Sequence, residues 1–428
     1  MNLLDRIRPL QLMILAAGIF FSCESETNTF DFDLENNTAV ELVELVLPTR
    51  SIFIDSLRTD NESTIVAGRY ADARFGDIEA EGYTQIKYDD GRIISDTLKY
   101  DSLIINLTIE NFVSNDPNAE VALDLFGIRE DLEASVVYLK NKKGVTGFRL
   151  DTMRFNLQYS VDSLKQNIRV RADRLGDYLY SQLIDDDIDV ETDGYTGDVG
   201  FVSKADNQTA LTINLDSDSS ELLLYTSFDT IVYETRLVFQ DLHYSYVSND
   251  FSGSQLEGIT DREIFDLGTN EQFISPIFGI FNFVDFAPLQ SFIESYGKVL
   301  INRAEIKTPY LTSIKEEVRN TRYYFHDSTY GIRGEGIFTN GYETAILSNE
   351  AYINESVQIL IGSKVEGELY YSQDLTFFIE NYYNYYLTQG DFLTDGIVIT
   401  PNRWVTLQES ELFSPSSTTI KIYVTSIN

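Results

Sequence analysis

The fold is indicated first by one short stretch of the sequence, Tyr100-Asp101-Ser102-Leu103-Ile104-Ile105-Asn106-Leu107. Its second half is rich in leucine and isoleucine, and it follows an Asp-Ser pair of the kind that separates strands. The stretch therefore predicts a β-strand. A matching stretch, Tyr296-Gly297-Lys298-Val299-Leu300-Ile301-Asn302-Arg303, occurs about 200 residues later.

Three further pairs of landmarks recur at nearly the same offset. They are a helical segment near Asp173 and near Asp374, Gly200–Ser203 and Gly396–Ile399, and Glu221–Thr226 and Thr419–Thr425. Each match alone is weak, but an offset that stays constant over four landmarks indicates an internal repeat. We therefore predict two copies of one module, over residues 41–250 and 251–428.

Most of the sequence around these landmarks also has strand character, because short apolar runs alternate with Asn, Asp, Ser and Gly turns. The predicted strands include Leu42–Leu47, Leu103–Ile109, Val121–Phe126, Leu222–Tyr225, Leu237–Phe239, Val299–Ile306 and Ile420–Val424. Ser203–Gln208 is predicted to connect a hairpin. Helical spacing of apolar side chains occurs at Ala172–Ile184 and Gln373–Leu387. The predicted fold class is mainly β: two tandem jelly-roll-like antiparallel β-sandwich modules, each with a short helix.

The N-terminal residues have the pattern of an export signal. Arg6 and Arg8 precede an apolar segment, Leu10–Phe21. As a helix this segment would be about 18 Å long, which is too short for a hydrocarbon core of roughly 30 Å. Residues 1–22 are therefore predicted to be a signal peptide and not a membrane span.

The signal peptide ends in Phe20-Phe21-Ser22-Cys23, which resembles the lipobox of bacterial lipoproteins. Cys23 is the single cysteine of the chain, and acylation would explain an unpaired thiol in an exported protein. The alternative is an ordinary signal peptide with an incidental cysteine. Glu24 and Glu26 resemble a surface-export signal; the alternative is that they only reflect the acidic composition of the whole chain. Residues 23–40 are thus predicted to be a lipidated acidic tether on the outer membrane, facing the cell exterior.

The charge balance restricts the classes of partner. The chain has 68 acidic and 32 basic side chains, a net charge of −36, and 27 Tyr and 27 Phe. Phosphate backbones would be repelled by such a surface, so no nucleic-acid partner is predicted. The aromatic content is too high for a disordered chain.

The sequence contains no motif that predicts catalysis. His243 and His326 are the two histidines, and no Gly-x-Ser-x-Gly segment precedes either. The acidic runs Asp185–Glu191 and Asp216–Ser219 lack the register of a calcium loop, so solvated loops are the favoured interpretation. We predict no catalytic residue, no metal site and no cofactor, and hence no enzyme.

Two aromatic segments are candidate partner contacts. The run Asn381–Tyr386 has four tyrosines. The helical stripe of Leu375 and Phe378 assigns Tyr382, Tyr385 and Tyr386 to the core and leaves Tyr383 turned outward. A second candidate is the phenylalanine-rich segment Phe278–Phe286, from which we select Phe281 and Phe283. The alternative for both segments is packing in the core.

Several of these stretches also carry a family resemblance. The relevant residues are Val66-Ala67-Gly68-Arg69-Tyr70-Ala71-Asp72 with Phe75-Gly76, Glu79–Gln85, and Ile301-Asn302-Arg303-Ala304-Glu305-Ile306. They resemble a Bacteroidota lipoprotein family known only as a domain of unknown function, number forty-two seventy. Residue 303 departs from it, since the family more often has lysine there, and residues 139–150 fit poorly. The resemblance implies an exported, lipid-anchored β-protein, and it transfers no catalytic residue.

Three hypotheses of function remain open from the sequence. The first is a non-catalytic interaction or accessory subunit of an outer-membrane protein complex, whose partner is an outer-membrane barrel or assembly. The second is a glycan-binding surface lipoprotein, for which Trp404 is the main support. The third is a hydrolase that acts on glycans or peptides. Fold class alone does not separate them.

Overall fold

The computed structural model describes residues 39–427 except for a set of short gaps and one long one. The residues outside the description are 56, 61–62, 89–95, 117, 131, 134–135, 137, 159–164, 185–194, 216–219, 268–271, 310–319, 328–330, 334–360, 365–369, 402–406, 408–411 and 414–417. Every structural statement below concerns the described residues.

The elements follow the chain in a mainly β order. The strands are β1 Val40–Val46, β2 Thr49–Phe53, β3 Thr64–Asp72, β4 Gly76–Tyr88, β5 Lys99–Ser114, β6 Val121–Ile128, β7 Thr146–Phe155, β8 Gln166–Arg171, β9 Tyr195–Ser203, β10 Thr209–Asn214, β11 Glu221–Phe228, β12 Ile231–Asp250, β13 Ile264–Phe265, β14 Gln272–Phe273, β15 Ile280–Asp285, β16 Val299–Pro309, β17 Asn320–Asp327, β18 Gly331–Arg333, β19 Ile361–Lys364, β20 Tyr370–Asp374, β21 Gly396–Pro401, β22 Leu412–Phe413 and β23 Thr419–Ser426. The helices are α1 Asp173–Leu183, α2 Ala287–Tyr296 and α3 Thr376–Gln389, with a 3₁₀ turn at Pro276–Phe278.

The strands form two large antiparallel sheets, so the predicted mainly β class is confirmed. The first sheet has the order β12-β11-β5-β10-β3-β4-β9-β6-β7, with β8 beside β5. β12 also pairs with β4. This pairing joins the two ends of the run β12-β11-β5-β10-β3-β4, so these strands form a closed ring. The second sheet has the order β1-β23-β16-β20-β19-β17-β21-β15-β2-β13, with β18 beside β17.

The two sheets share local strand orders that match the repeated landmarks. In the first sheet β5 lies between β11 and β8, and in the second β16 lies between β23 and β20. Likewise β9 lies between β4 and β6, and β21 lies between β15 and β17. Both β8 and β20 lead directly into a helix, α1 or α3. The four landmarks of the sequence therefore occupy equivalent places in the two sheets.

One hydrogen bond at the start of these helices is also repeated. The backbone N–H of Ala172, just before α1, donates to the Leu103 carbonyl of β5 at 3.0 Å. The N–H of Leu375, just before α3, donates to the Ala304 carbonyl of β16 at 2.8 Å. In both copies the bond holds the start of the helix on a strand of the sheet, β5 for α1 and β16 for α3, because a buried N–H needs an acceptor.

Two predictions about connections need correction. The predicted first module begins at residue 41, yet β1 pairs with β23 and β2 pairs with β15, so both strands belong to the second sheet. Ser203–Gln208 connects β9 to β10, which pair with other strands and not with each other, so it is not a hairpin. Turn residues indicate where two strands are connected along the chain, but they do not show whether those two strands pair with each other.

The buried side chains form one core that belongs to both sheets, one that belongs to the first sheet alone, and a small cluster around Tyr83 and Tyr244. On β3, Ile65 and Ala67 lie in the core of the first sheet, which also includes Leu175 and Leu179 of α1. Val66, between them, lies in the other core with side chains of the second sheet. Because successive strand residues point to opposite faces, this strand contributes to both cores.

The helices were predicted in part. Leu175, Leu179 and Leu183 of α1 are buried, as their spacing predicts. Helix α2 was not predicted. A proline at its start and a backbone N–H of Ala287 that donates to Asp285 at 2.9 Å are ordinary signals of a helix start.

Candidate functional site

The two phenylalanines proposed as partner contacts lie inside the second sheet. Phe281 and Phe283 are on β15, which is flanked by β2 on one side and β21 on the other. Phe281 is fully buried, and Phe283 is 2% exposed. The prediction that this segment exposes its rings is wrong, because β15 is an internal strand whose side chains from Ile280 to Val284 are buried on both faces.

Tyr383 is also buried, contrary to the prediction. Its exposed fraction is 4%, its hydroxyl donates to the Gly297 carbonyl at 2.7 Å, and it accepts from the Val299 N–H at 3.0 Å. Tyr382 lies in the core as predicted, whereas Tyr385 was assigned to the core and is 40% exposed. The buried face of α3 is rotated toward β16 relative to the stripe inferred from spacing.

Several predicted site residues lie outside the described residues. These are Cys23, Glu24 and Glu26, the acidic runs 185–191 and 216–219, and Trp404. The backbone of His326 is in β17, but its side chain is not described. Predictions on these residues therefore stay predictions.

His243 is a buried residue with a backbone partner. Its ring Nδ1 lies 3.1 Å from the Gln240 carbonyl, in β12, where the register against β4 shifts. The described part of the chain holds no group of three or more metal-ligating side chains close enough to bind one ion. None of the described helices is long and apolar enough to cross a bilayer.

The exposed apolar side chains of the second sheet gather at one edge. Val40, Leu42 and Val46 alternate along β1, and each is between 48% and 60% exposed. Val40 is opposite Thr425 of β23, which in turn is opposite Leu300 of β16, another exposed apolar residue. We call Val40, Leu42, Val46 and Leu300 the β1 face. Monomeric proteins rarely leave such side chains grouped, so the β1 face is a candidate contact surface.

Strand β1 is also the terminal strand of its sheet. It pairs with β23, and the described residues place no strand along its other edge. Glu44 on this strand forms an ion pair with Lys421 at 3.4 Å. Charged side chains on an edge strand oppose unspecific pairing, while the free backbone groups remain available to a matching partner.

A second exposed apolar group lies at the β11–β12 hairpin. Phe228, Ile231 and Val232 are between 53% and 63% exposed at its tip. Asp229, in the two-residue turn, has a positive φ of 55°. This group is small and follows the tip of one hairpin, in contrast to the β1 face, which spans three adjacent strands.

One groove is polar and lies where β3 and β12 end and β4 begins. Its volume is about 580 Å³, within the usual range for ligand sites. It is lined by Arg69, Tyr70, Ala71, Asp77, Ile78, Glu79, Asn115, Ala205, Asn207, Gln208, Ser248 and Asp250. A smaller groove of about 310 Å³ shares Ser248 with it and includes Asp55 and Asp261.

A buried polar cluster lies further along β4 and β12. The rings of Tyr83 and Tyr138 each stack on Tyr244, with centroids 4.8 and 4.3 Å away. Burial, together with a hydrogen bond to Glu81, raises the pKa of Tyr83 far above its usual value. Its hydroxyl therefore stays protonated and donates to buried Glu81, whose other oxygen lies 2.6 Å from Lys143 Nζ. The stacking of Tyr138 and the ion pair of Lys143 suit the cluster to holding these two residues on the sheet rather than to proton transfer.

The comparisons with known proteins give no guide to the site. No protein-family model matches the sequence, and no curated protein matches it. The family resemblance noted from the sequence therefore stays a prediction.

Proposed function

We propose that this protein is a lipid-anchored lipoprotein of the outer membrane, facing the cell exterior, that acts as a non-catalytic accessory subunit of an outer-membrane protein complex. Its β-sheets would form two tandem jelly-roll-like modules. Residues 1–22 would be the signal peptide and Cys23 the lipidated residue, with Glu24 and Glu26 directing surface export. The proposed partner is an outer-membrane barrel or assembly.

The observation that carries this proposal is the β1 face. Val40 follows Cys23 by 17 positions in the sequence, which is at most about 60 Å of extended chain. A lipid on Cys23 would therefore keep β1 within reach of the membrane surface. Exposed apolar side chains on an unpaired edge strand, held close to a membrane, favour a membrane protein as the partner.

The electrostatics agree with a protein partner. With a net charge of −36, the chain would be repelled by anionic headgroups, and steering toward a partner would depend on salt. Binding energy is expected to come from a few apolar anchors and not from this diffuse charge. Leu42 is the central anchor by position, since it lies between Val40 and Val46 on the same face.

Copurification from detergent-solubilised outer membranes tests the proposal. The tagged wild-type chain is expected to recover one outer-membrane protein in stoichiometric amount. The double variant Leu42→Lys with Val46→Lys should reduce that recovery at least tenfold, because two charged side chains replace the apolar anchors.

A matched control carries the same change of charge elsewhere. Phe228→Lys with Val232→Lys alters two equally exposed apolar residues on the first sheet and should leave recovery unchanged. If the hairpin variant loses the partner and the β1 variant keeps it, the contact surface is assigned wrongly. If wild type recovers no stoichiometric partner, the accessory-subunit proposal fails.

The anchor is tested separately by Cys23→Ala. We expect the variant to be unprocessed or released from the membrane, because acylation needs the thiol. Metabolic labelling with an alkyne fatty acid should tag the wild type and not the variant. Neutralising Glu24 and Glu26 together should leave this labelling intact and lower protease accessibility on whole cells; unchanged accessibility would remove the export-signal interpretation.

A further inference from the structure

We propose that the partner of the β1 face supplies an extended segment that pairs with β1 as a β-strand. This inference rests on the proposed function, since it specifies how the outer-membrane protein is held. It is carried by the direction of the β1 backbone groups and by a comparison of β1 with other terminal strands of the two sheets.

The backbone of β1 presents every second residue to its unpaired side. The N–H of Leu47, directly after β1, donates to the Thr418 carbonyl at 2.8 Å. β1 pairs with β23 without a shift in register, and in an antiparallel pair the residues that bond to the partner alternate with residues whose groups point away. Counting back from Leu47, the even-numbered residues of β1 point their N–H and C=O groups away from β23. These residues, whose backbone groups we call the free edge, are Val40, Leu42, Glu44 and Val46.

The pairing on the other side of β23 agrees with this assignment. The N–H of Ile427, directly after β23, donates to the Lys298 carbonyl beside β16 at 3.1 Å. Odd-numbered residues of β23 therefore face β16, and even-numbered residues face β1, as the bond to Thr418 requires. The sheet thus fixes which groups of β1 are available to another strand.

β1 lacks the features that protect two other terminal strands. β13, at the opposite end of the second sheet, has two residues. β7, at the end of the first sheet, has two register shifts against β6 and exposes Arg149 and Arg154. β1 has seven residues, a continuous register with β23, and neither proline nor lysine. Short length, bulges and basic side chains oppose pairing with another chain, so β1 is the one of these three strands that is open to it.

Both faces of β1 carry apolar side chains that a neighbouring strand would cover. Val40, Leu42 and Val46 are exposed on the β1 face. On the other face, Val43 and Leu45 are half-buried against the shared core. A strand that pairs with the free edge would bury side chains on both faces, while its backbone supplies hydrogen bonds along its length.

The chemistry of β1 restricts the segment that fits it. Glu41 and Glu44 are the charged side chains of β1, and an acidic residue directly opposite either would be repelled. The net charge of −36 acts in the same direction. A closed barrel has no free strand edge in its wall. The segment therefore comes from a loop or a terminus of the outer-membrane protein, has alternating apolar side chains, and is neutral or basic.

Proline substitution at the free edge tests the pairing, with copurification from detergent-solubilised outer membranes as the measurement. Glu44→Pro removes an N–H that points away from β23, so the sheet keeps its own bonds while the partner strand loses an N–H donor. Glu44→Thr makes the same change of charge and keeps the N–H. The proline variant should recover about tenfold less partner than the threonine variant, because the paired segment loses a hydrogen bond and meets the proline ring.

The outcomes separate this inference from the proposed function. Equal recovery by the two variants overturns the strand pairing, and the accessory-subunit proposal then stands on recovery by the wild type. Failure of the wild type to recover a stoichiometric outer-membrane protein overturns both.

Hydrogen exchange of the wild-type complex gives a second test that does not depend on the folding of the proline variant. In the purified complex, the free-edge amides of a peptide that spans Val40–Val46 should exchange more slowly than in the chain alone, because their N–H groups gain acceptors. A peptide of residues 228–232, at the β11–β12 hairpin, should exchange equally in both samples. Unchanged exchange in the β1 peptide overturns the inference.

Discussion

At the scale of single residues, the most informative side chain is a lysine buried between the two halves. Lys140 is 2% exposed, and its Nζ lies 3.3 Å from Asp55 Oδ1 and 5.4 Å from the centre of the Phe53 ring. Burial lowers the pKa of its ammonium group, and Asp55 and Asp261 act in the opposite direction without cancelling it. The ion pair therefore joins the halves but stabilises them little.

We predict that Lys140→Met raises the free energy of unfolding at neutral pH by about 1 kcal/mol, since a buried charge is replaced by an apolar chain of similar length. The pKa of Lys140 is lower in the folded state, so just below about pH 10 the unfolded chain binds more protons and stability rises with pH. The variant should lose this part of the slope.

Urea unfolding at several pH values measures both effects. Lys298→Met makes the same chemical change at an exposed position and should move stability by less than about 0.5 kcal/mol. A Lys140→Met variant that is less stable than wild type would show that the ion pair stabilises the fold.

At the scale of elements, helix α3 offers a paired test of burial against exposure. Tyr383→Phe should lower the free energy of unfolding by about 1–3 kcal/mol, because the Val299 N–H and the Gly297 carbonyl lose their partner. Tyr385→Phe changes an exposed ring of the same helix and should have no measurable effect. Thermal and urea unfolding measure both effects. If Tyr383→Phe is as stable as wild type, the Tyr383 hydroxyl does not stabilise the fold, and a role of this residue in partner contact is favoured instead.

The same helix shows which buried residues can be predicted from the sequence alone and which cannot. Leu375, Phe378 and Tyr382 were placed in the core correctly, because helical periodicity needs no tertiary information. The assignments of Tyr383 and Tyr385 failed, because the width and rotation of a buried face depend on what packs against it. Phe281 and Phe283 failed for a related reason: an internal strand in a covered sheet has no exposed face.

The groove lay outside the reach of sequence patterns altogether. Arg69, Asn207 and Ser248 are far apart in the chain, and they are brought to one groove by the pairing of β3 with β4 and β10 and of β4 with β12. The strands and helices at the repeated landmarks were predictable, because their character is local. The pairing of β1 and β2 with strands of the second sheet was not predictable, because the sequence of one strand does not show which distant strand it pairs with.

At the scale of the whole molecule, the N-terminal strands complete the second sheet. β2 lies between β13 and β15, and its Ile52 is fully buried in the shared core. A soluble chain that starts at Ile54 should therefore fail to reach the native fold, whereas one that starts at Leu47 loses only an edge strand. Circular dichroism and cooperative thermal unfolding should separate the two truncations; equal stability would contradict the observed sheet order.

The central claim is that the β1 face contacts an outer-membrane protein, and photocrosslinking in living cells tests it most directly. A photoreactive amino acid replaces Leu42 in the anchored, full-length protein, and Phe148, an exposed ring of the first sheet, serves as the comparison site. The account predicts one discrete adduct with an outer-membrane protein from position 42 and none from position 148. No adduct at position 42, or the same adducts from both positions, would contradict it.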